Sequence, residues 1–76
     1  MTIPLTQLQP GKIAQVVAIT SSDESRLLKL SAYGLIPGSI IKLQQRFPAY
    51  VLRIGETLLS LDDDVAQEIH LSRVME

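Results

Sequence analysis

The residues of this chain that could do chemistry are few and stand apart. His70 is the only histidine. An imidazole can serve as a general base or a metal ligand, but either task needs a second group within reach. Glu68 and Glu76 are thin company for it. In the alternation Glu68-Ile69-His70-Leu71-Ser72, His70 falls opposite Ile69 and Leu71, on the side expected to face water. Asp62-Asp63-Asp64 is the one charge cluster. Three carboxylates can hold a hard cation such as Mg²⁺ or Ca²⁺. Consecutive residues rarely converge on one ion, however, and no Asp-x-Asp-x-Asp-Gly spacing is present. One Asp capping a short helix, with the others in its first turn near the positive dipole end, is the simpler assignment.

Ser21, Ser22 and Ser25 have no histidine close in sequence and no Gly-x-Ser-x-Gly frame, so they read as caps rather than nucleophiles. The four glycines are never grouped, which leaves no phosphate cradle. Cysteine is absent, which excludes disulfides and thiolate metal sites. Lys42, Arg46 and Arg53 could line one sheet face. With only Tyr50 nearby to stack on a base, a solvated face accounts for them better than a nucleic-acid patch. No catalytic, cofactor-binding or metal-binding residue is therefore expected, and the chain does not read as an enzyme.

Stepping from these side chains to the elements that carry them, 76 residues make one small domain spanning 1–76. Only Tyr33, Phe47 and Tyr50 are aromatic, so the core must be built from Leu, Ile and Val. Net charge is −1, and the seven basic residues are scattered over positions 12 to 73, which argues against nucleic acid as a partner. The longest apolar runs fall far short of the roughly 20 residues of a membrane span. Met1-Thr2-Ile3-Pro4 has neither a charged leader nor an apolar core, so no signal peptide is expected. A soluble cytoplasmic protein is the resulting expectation.

Prolines and glycines divide the chain. After Pro10-Gly11, residues 12–20 read as a first strand, with Ile13, Val17 and Ile19 against Lys12, Ala14 and Ala18. Ser21 with Glu24 fits a capping box, and Asp23 and Glu24 complement a helix N-terminus. The helix is expected over about 22–33, ended by Gly34 at the left-handed position beyond its last turn. Pro37-Gly38 suits a type II turn. A strand over 40–47 places Ile41, Leu43 and Phe47 on one face and Lys42, Gln44 and Arg46 on the other. Pro48 ends it. Residues 51–54 and 57–61 form a hairpin across Gly55-Glu56, with glycine first as a type II′ turn requires. A helical turn through Gln67 and a strand over 69–74 complete the order β-α-β-β-β-β. A mainly β protein with one helix, folded as a small, partly open barrel, fits this order.

The helix and its exit hold a surplus. Leu27, Leu28, Leu30, Tyr33, Leu35 and Ile36 are large and apolar, and a helix on a small barrel buries only one stripe. The remainder would form an exposed patch of the kind that marks an interaction site. The alternative is that all six are core.

Several motifs together resemble the FeoA family of ferrous-iron-transport accessory proteins. They are Leu5-x-x-Leu8-x-Pro10-Gly11, Gly34-Leu35-Ile36-Pro37-Gly38-Ser39-x-Ile41 and Arg46-Phe47-Pro48. Ile54-Gly55-Glu56-Thr57-x-Leu59-Ser60-Leu61 and Ala66-x-x-Ile69 continue the series, which runs from about Leu5 to Val74. The resemblance implies an SH3-like β-barrel with a helix inserted after the first strand. It also implies a cytoplasmic, non-enzymatic role in metal-ion homeostasis, acting on FeoB, the membrane ferrous-iron permease with a cytosolic GTPase domain. The same domain ends metal-dependent repressors of the diphtheria-toxin-repressor type, as an interaction and regulatory module. Tyr33 stands where the family often has leucine, and Ala49-Tyr50 is short where many members carry a Gly-rich insertion. Iron binding by the chain itself is not implied.

Two functions follow as expectations. The first is a regulator that binds the cytosolic part of a FeoB-type permease through Leu27, Leu30, Tyr33 and Leu35 with turn residues Pro37 and Gly38. The second is a freestanding SH3-like module that recognises a peptide or self-associates; the scarcity of aromatics counts against a polyproline groove.

Overall fold

The computed structural model describes residues 1–72. Its elements are β1 (Ile3–Pro4), a 3₁₀ turn (Leu5–Gln7), β2 (Ile13–Ile19), α1 (Glu24–Ala32), β3 (Ile40–Gln45), β4 (Tyr50–Ile54), β5 (Thr57–Leu61), α2 (Asp63–Gln67) and β6 (Ile69–Leu71). The strands form one antiparallel sheet of order β1-β6-β2-β3-β4-β5. The mainly β class and the helix inserted after the long first strand are as expected. One feature differs: a further strand, β1, precedes the expected first one. The order leaves β1 and β5 as open edges, in keeping with a small, partly open barrel. Two-residue β1 carries no periodicity to detect; it exists because Ile3 and Pro4 lie against Leu71 and His70. Positions 73 and 74 of the expected last strand lie outside the described residues.

The core is largely aliphatic, with Tyr50 joining it. Leu5, Leu8, Val16, Leu35, Ile41, Leu43, Leu52, Ile69 and Leu71 are all but fully buried, and among the described residues no polar or charged residue is buried with them. Unpaired buried polar groups are costly, so this leaves nothing in the interior to destabilise a small fold. The facing of β2 needs correction, and that of β3 holds for Ile41 to Gln44 and fails beyond its slip. Ala14 and Val16, not Ile13 and Val17, point inward on β2, and Val17 is exposed. Ala14 stands opposite Ile41, so a small residue meets a large one. The register with β6 then slips between Val16 and Ala18, which turns Ile19 back towards the core. A second slip lies between Leu43 and Gln45 on β3. An extra residue reverses the facing of everything after it. Phe47 is consequently 85% exposed, not a core partner of Ile41 and Leu43. Its peptide bond to Pro48 is cis.

The hairpin closes across Gly55-Glu56 with positive φ at the glycine alone, in keeping with a type II′ turn. Asp62 caps α2 by accepting from the Val65 N–H at 3.0 Å. Asp63 accepts from the Tyr50 hydroxyl at 3.2 Å and the Gln67 amide at 2.6 Å. The acidic cluster is thus committed to helix initiation and to one side-chain clasp.

Candidate partner-binding surface

Helix α1 begins two residues later than the capping box implied. Its N-cap is Asp23, whose carboxylate accepts from the Arg26 N–H at 3.2 Å. Ser21 instead accepts from the Asp23 N–H at 3.1 Å, a local turn that leads the chain into the helix. A carboxylate at the cap also meets the positive end of the helix dipole, which favours Asp23 over Ser21.

The exit of α1 is a Schellman motif. Leu35 N–H donates to Leu30 O at 3.0 Å and Gly34 N–H donates to Ser31 O at 2.9 Å. Gly34 has φ +89°, which a side chain would resist. The two residues that bracket the motif, Leu30 and Leu35, are both buried. The Ser39 hydroxyl then staples the loop: it donates to Gly34 O at 2.6 Å and accepts from the Ile36 N–H at 3.1 Å. Pro37-Gly38 forms the turn closed by Ser39 N–H to Ile36 O at 3.0 Å, with φ +97° at Gly38. That turn is docked on β2, since Gly38 N–H donates to Val16 O at 2.7 Å and Val16 N–H to Ser39 O at 2.8 Å.

This geometry divides the six expected contact residues. Leu30 and Leu35 belong to the core and are covered by the fold itself. Leu27 is half-buried, and Tyr33, Pro37 and Gly38 are exposed. Leu27, Leu35 and Pro37 line an apolar groove together with Ile19, Leu28 and Ile36. Tyr33 lines a different groove, between α1 and the β5–α2 segment, with Arg26, Lys29, Leu59 and Asp62. The exposed rim of the apolar groove is Leu28 (71%) and Ile36 (47%). Both were within the apolar surplus, yet neither was among the expected contacts. At about 100° per residue, Leu28 lies roughly 200° around the helix from Leu30, so a helical wheel centred on Leu30 would have found it. Ile19 had no such signal, because its position depends on the β2 slip.

Arg26 anchors the helix from the second groove. Its guanidinium donates to Glu68 at 2.7 Å, across 42 residues of sequence. That hydrogen bond, more than the opposing effect of burial, raises the Arg26 pKa above its ordinary value. The side chain stays cationic and holds α1 to the end of α2. His70 is half-buried rather than free in solvent, and its Nε2 lies 3.1 Å from the Thr20 hydroxyl. Among the described residues no three His, Asp or Glu side chains converge. Arg46 leaves the face shared with Lys42, because the β3 slip carries it to Thr6, where it donates to the main-chain O at 2.7 Å. What the surface offers is a rigid apolar groove.

The FeoA domain family model matches residues 3–73. The chain belongs to the FeoA family. A crystal structure of an iron uptake regulatory protein, FeoA, superposes with a TM-score of 0.84 at 25% identity, covering 99% of each chain. Stenotrophomonas maltophilia FeoA complexed with zinc, described as a prokaryotic SH3 domain protein, gives 0.79 at 16% identity over 92% of this chain and 89% of that one. T. acidophilum IdeR gives 0.86 at 24% identity over 93% of this chain, but only 33% of that protein. The last two show the fold alone: the FeoA domain here is SH3-like, and the same fold recurs as one part of a longer protein. No curated protein matches the chain. No helix among the described residues is long and apolar enough to cross a membrane.

Proposed function

We propose that this FeoA-family protein is a non-enzymatic accessory protein of ferrous-iron transport that binds the cytosolic part of a FeoB-type permease. Family membership ties the chain to iron transport. The observation that carries the contact is the apolar groove of α1 and its exit, rimmed by exposed Leu28 and Ile36 on a backbone stapled by Ser39. Rigid, solvent-facing aliphatic side chains gain from burial only when a partner covers them. The protein then acts in the cytoplasm, at the inner face of the membrane through its partner.

A pull-down against the cytosolic part of a FeoB-type permease tests this. Leu28→Asp and Ile36→Asp are the informative variants, because both residues lie outside the core. Leu30→Asp is not, since a charge at that buried position disrupts the fold itself. Retention of full binding by both surface variants sinks the interface. The second reading, self-association through the same groove, predicts a concentration-dependent dimer in sedimentation that Leu28→Asp abolishes while the permease fragment is ignored.

A further inference from the structure

The sheet has a second unusual surface, on the side away from the core. Register places Ile13, Lys42, Arg53 and Leu58 in one row across β2, β3, β4 and β5. Lys42 and Arg53 are direct cross-strand partners, with Cα atoms about 5 Å apart. Like charges opposite one another destabilise a strand pair. Neither cation has an ion pair among the described residues, and no acidic residue adjoins them in the row. The neighbours that share their face include Ile40 and Leu58, both large, apolar and exposed, at 49% and 62%. The chain thus carries an unfavourable arrangement, two unneutralised cations bracketed by aliphatic side chains, on the exposed face of the sheet.

We propose that this face binds an acidic segment of a partner protein, with carboxylates over Lys42 and Arg53 and apolar residues over Ile40 and Leu58. Charge complementarity relieves the Lys42–Arg53 repulsion only in the complex, which makes the contact specific for an anionic partner. Two features favour a protein over nucleic acid or lipid headgroups. A polyphosphate gains affinity from many cations, and here there are two on a chain of net charge −1. The aliphatic flanks would be left uncovered by phosphates, whereas a protein segment with apolar residues on either side of its acidic ones, all on one face, matches both parts of the row. The proposal stands apart from the permease reading: it uses the opposite class of contact and none of the residues of the α1 groove.

The test is an amide-shift NMR titration of the whole chain with an extended Val-Ser-Glu-Ser-Glu-Ser-Val peptide, whose Val and Glu side chains share one face. Parallel titrations use its Lys-for-Glu counterpart, oligothymidylate and phosphatidylglycerol vesicles. The expected result is shifts centred on β3 and β4 with the acidic peptide alone. Affinity falls with added salt and drops at least tenfold in Lys42→Glu and in Arg53→Glu. Either single reversal creates an opposite-charge pair, so each variant melts about 2–5 °C higher than the parent even as it loses the peptide. Shifts that lie elsewhere, or that both variants retain, overturn the proposal. So does tighter binding of oligothymidylate or vesicles at this face. A lower melting temperature in both variants would remove its premise.

Discussion

Leu28 and Leu30 stand two residues apart on one helix and meet opposite fates: Leu30 is 4% exposed and Leu28 is 71% exposed. Their chemistry is identical. What differs is the angle each makes with a core that the strands assemble from distant parts of the chain. On the inward side, Leu30 and Leu35 close the helix end and fill the interior together. On the outward side, Leu28 and about half of Ile36 remain exposed and available to a partner. An apolar-rich helix therefore carries two separate messages, and a count of its leucines merges them.

The inward side is where the largest effect is expected. Leu35→Ala should lose about 3 kcal/mol, against a total of roughly 4–11 kcal/mol for a chain of this length. Denaturant midpoints would show it, and a change near zero would erase the contrast between the two sides. Gly34→Ala comes next, at about 1–2 kcal/mol. A Cβ there would meet only Ile54 Cγ2, at an ordinary 3.7 Å, so the cost is one of backbone conformation and not of space. Thermal melts of that variant separate the two causes: a Gly34→Asn chain, with a residue that tolerates left-handed backbone, should recover part of the loss. Asp23→Ala should cost about 1 kcal/mol and Ser21→Ala less, which identifies the helix cap. An equal loss from both would restore Ser21 to that role. Smallest of all is Leu28→Asp, within about 0.5 kcal/mol by the same melts. If that variant unfolds instead, Leu28 is part of the core and the outward surface does not exist.

Legibility followed sequence distance. Gly34, Pro37-Gly38 and Gly55-Glu56 each form turns with neighbours within five residues and were readable in place; the α2 cap was readable as one of Asp62, Asp63 and Asp64, and its bond to Val65 selects Asp62. The helix start was readable to within a few residues; Ser21 and Asp23 are both capping types, and only the observed bonds separate them. Strand facing was readable for Ile41 to Gln44 and not across the slips. Two one-residue slips, near Val17 and Gln44, invert the alternation on which the reading rests, and that is why Phe47 was placed inside and lies outside. Of the expected contact residues, Leu27, Tyr33, Pro37 and Gly38 remain on the surface, while Leu30 and Leu35 do not. Their burial depends on side chains more than ten residues away.

The sequence alone determined where this chain turns, where its long helix stops, and that its interior is largely aliphatic. Those outcomes depend on backbone angles and hydrogen bonds that close within a few residues, so residue type suffices. Tertiary structure decided which face of each element is inside and which apolar side chains a partner can reach. It also decided that two cations sit side by side on β3 and β4. Those outcomes depend on pairing between strands that close long loops, where one inserted residue reverses every side chain beyond it.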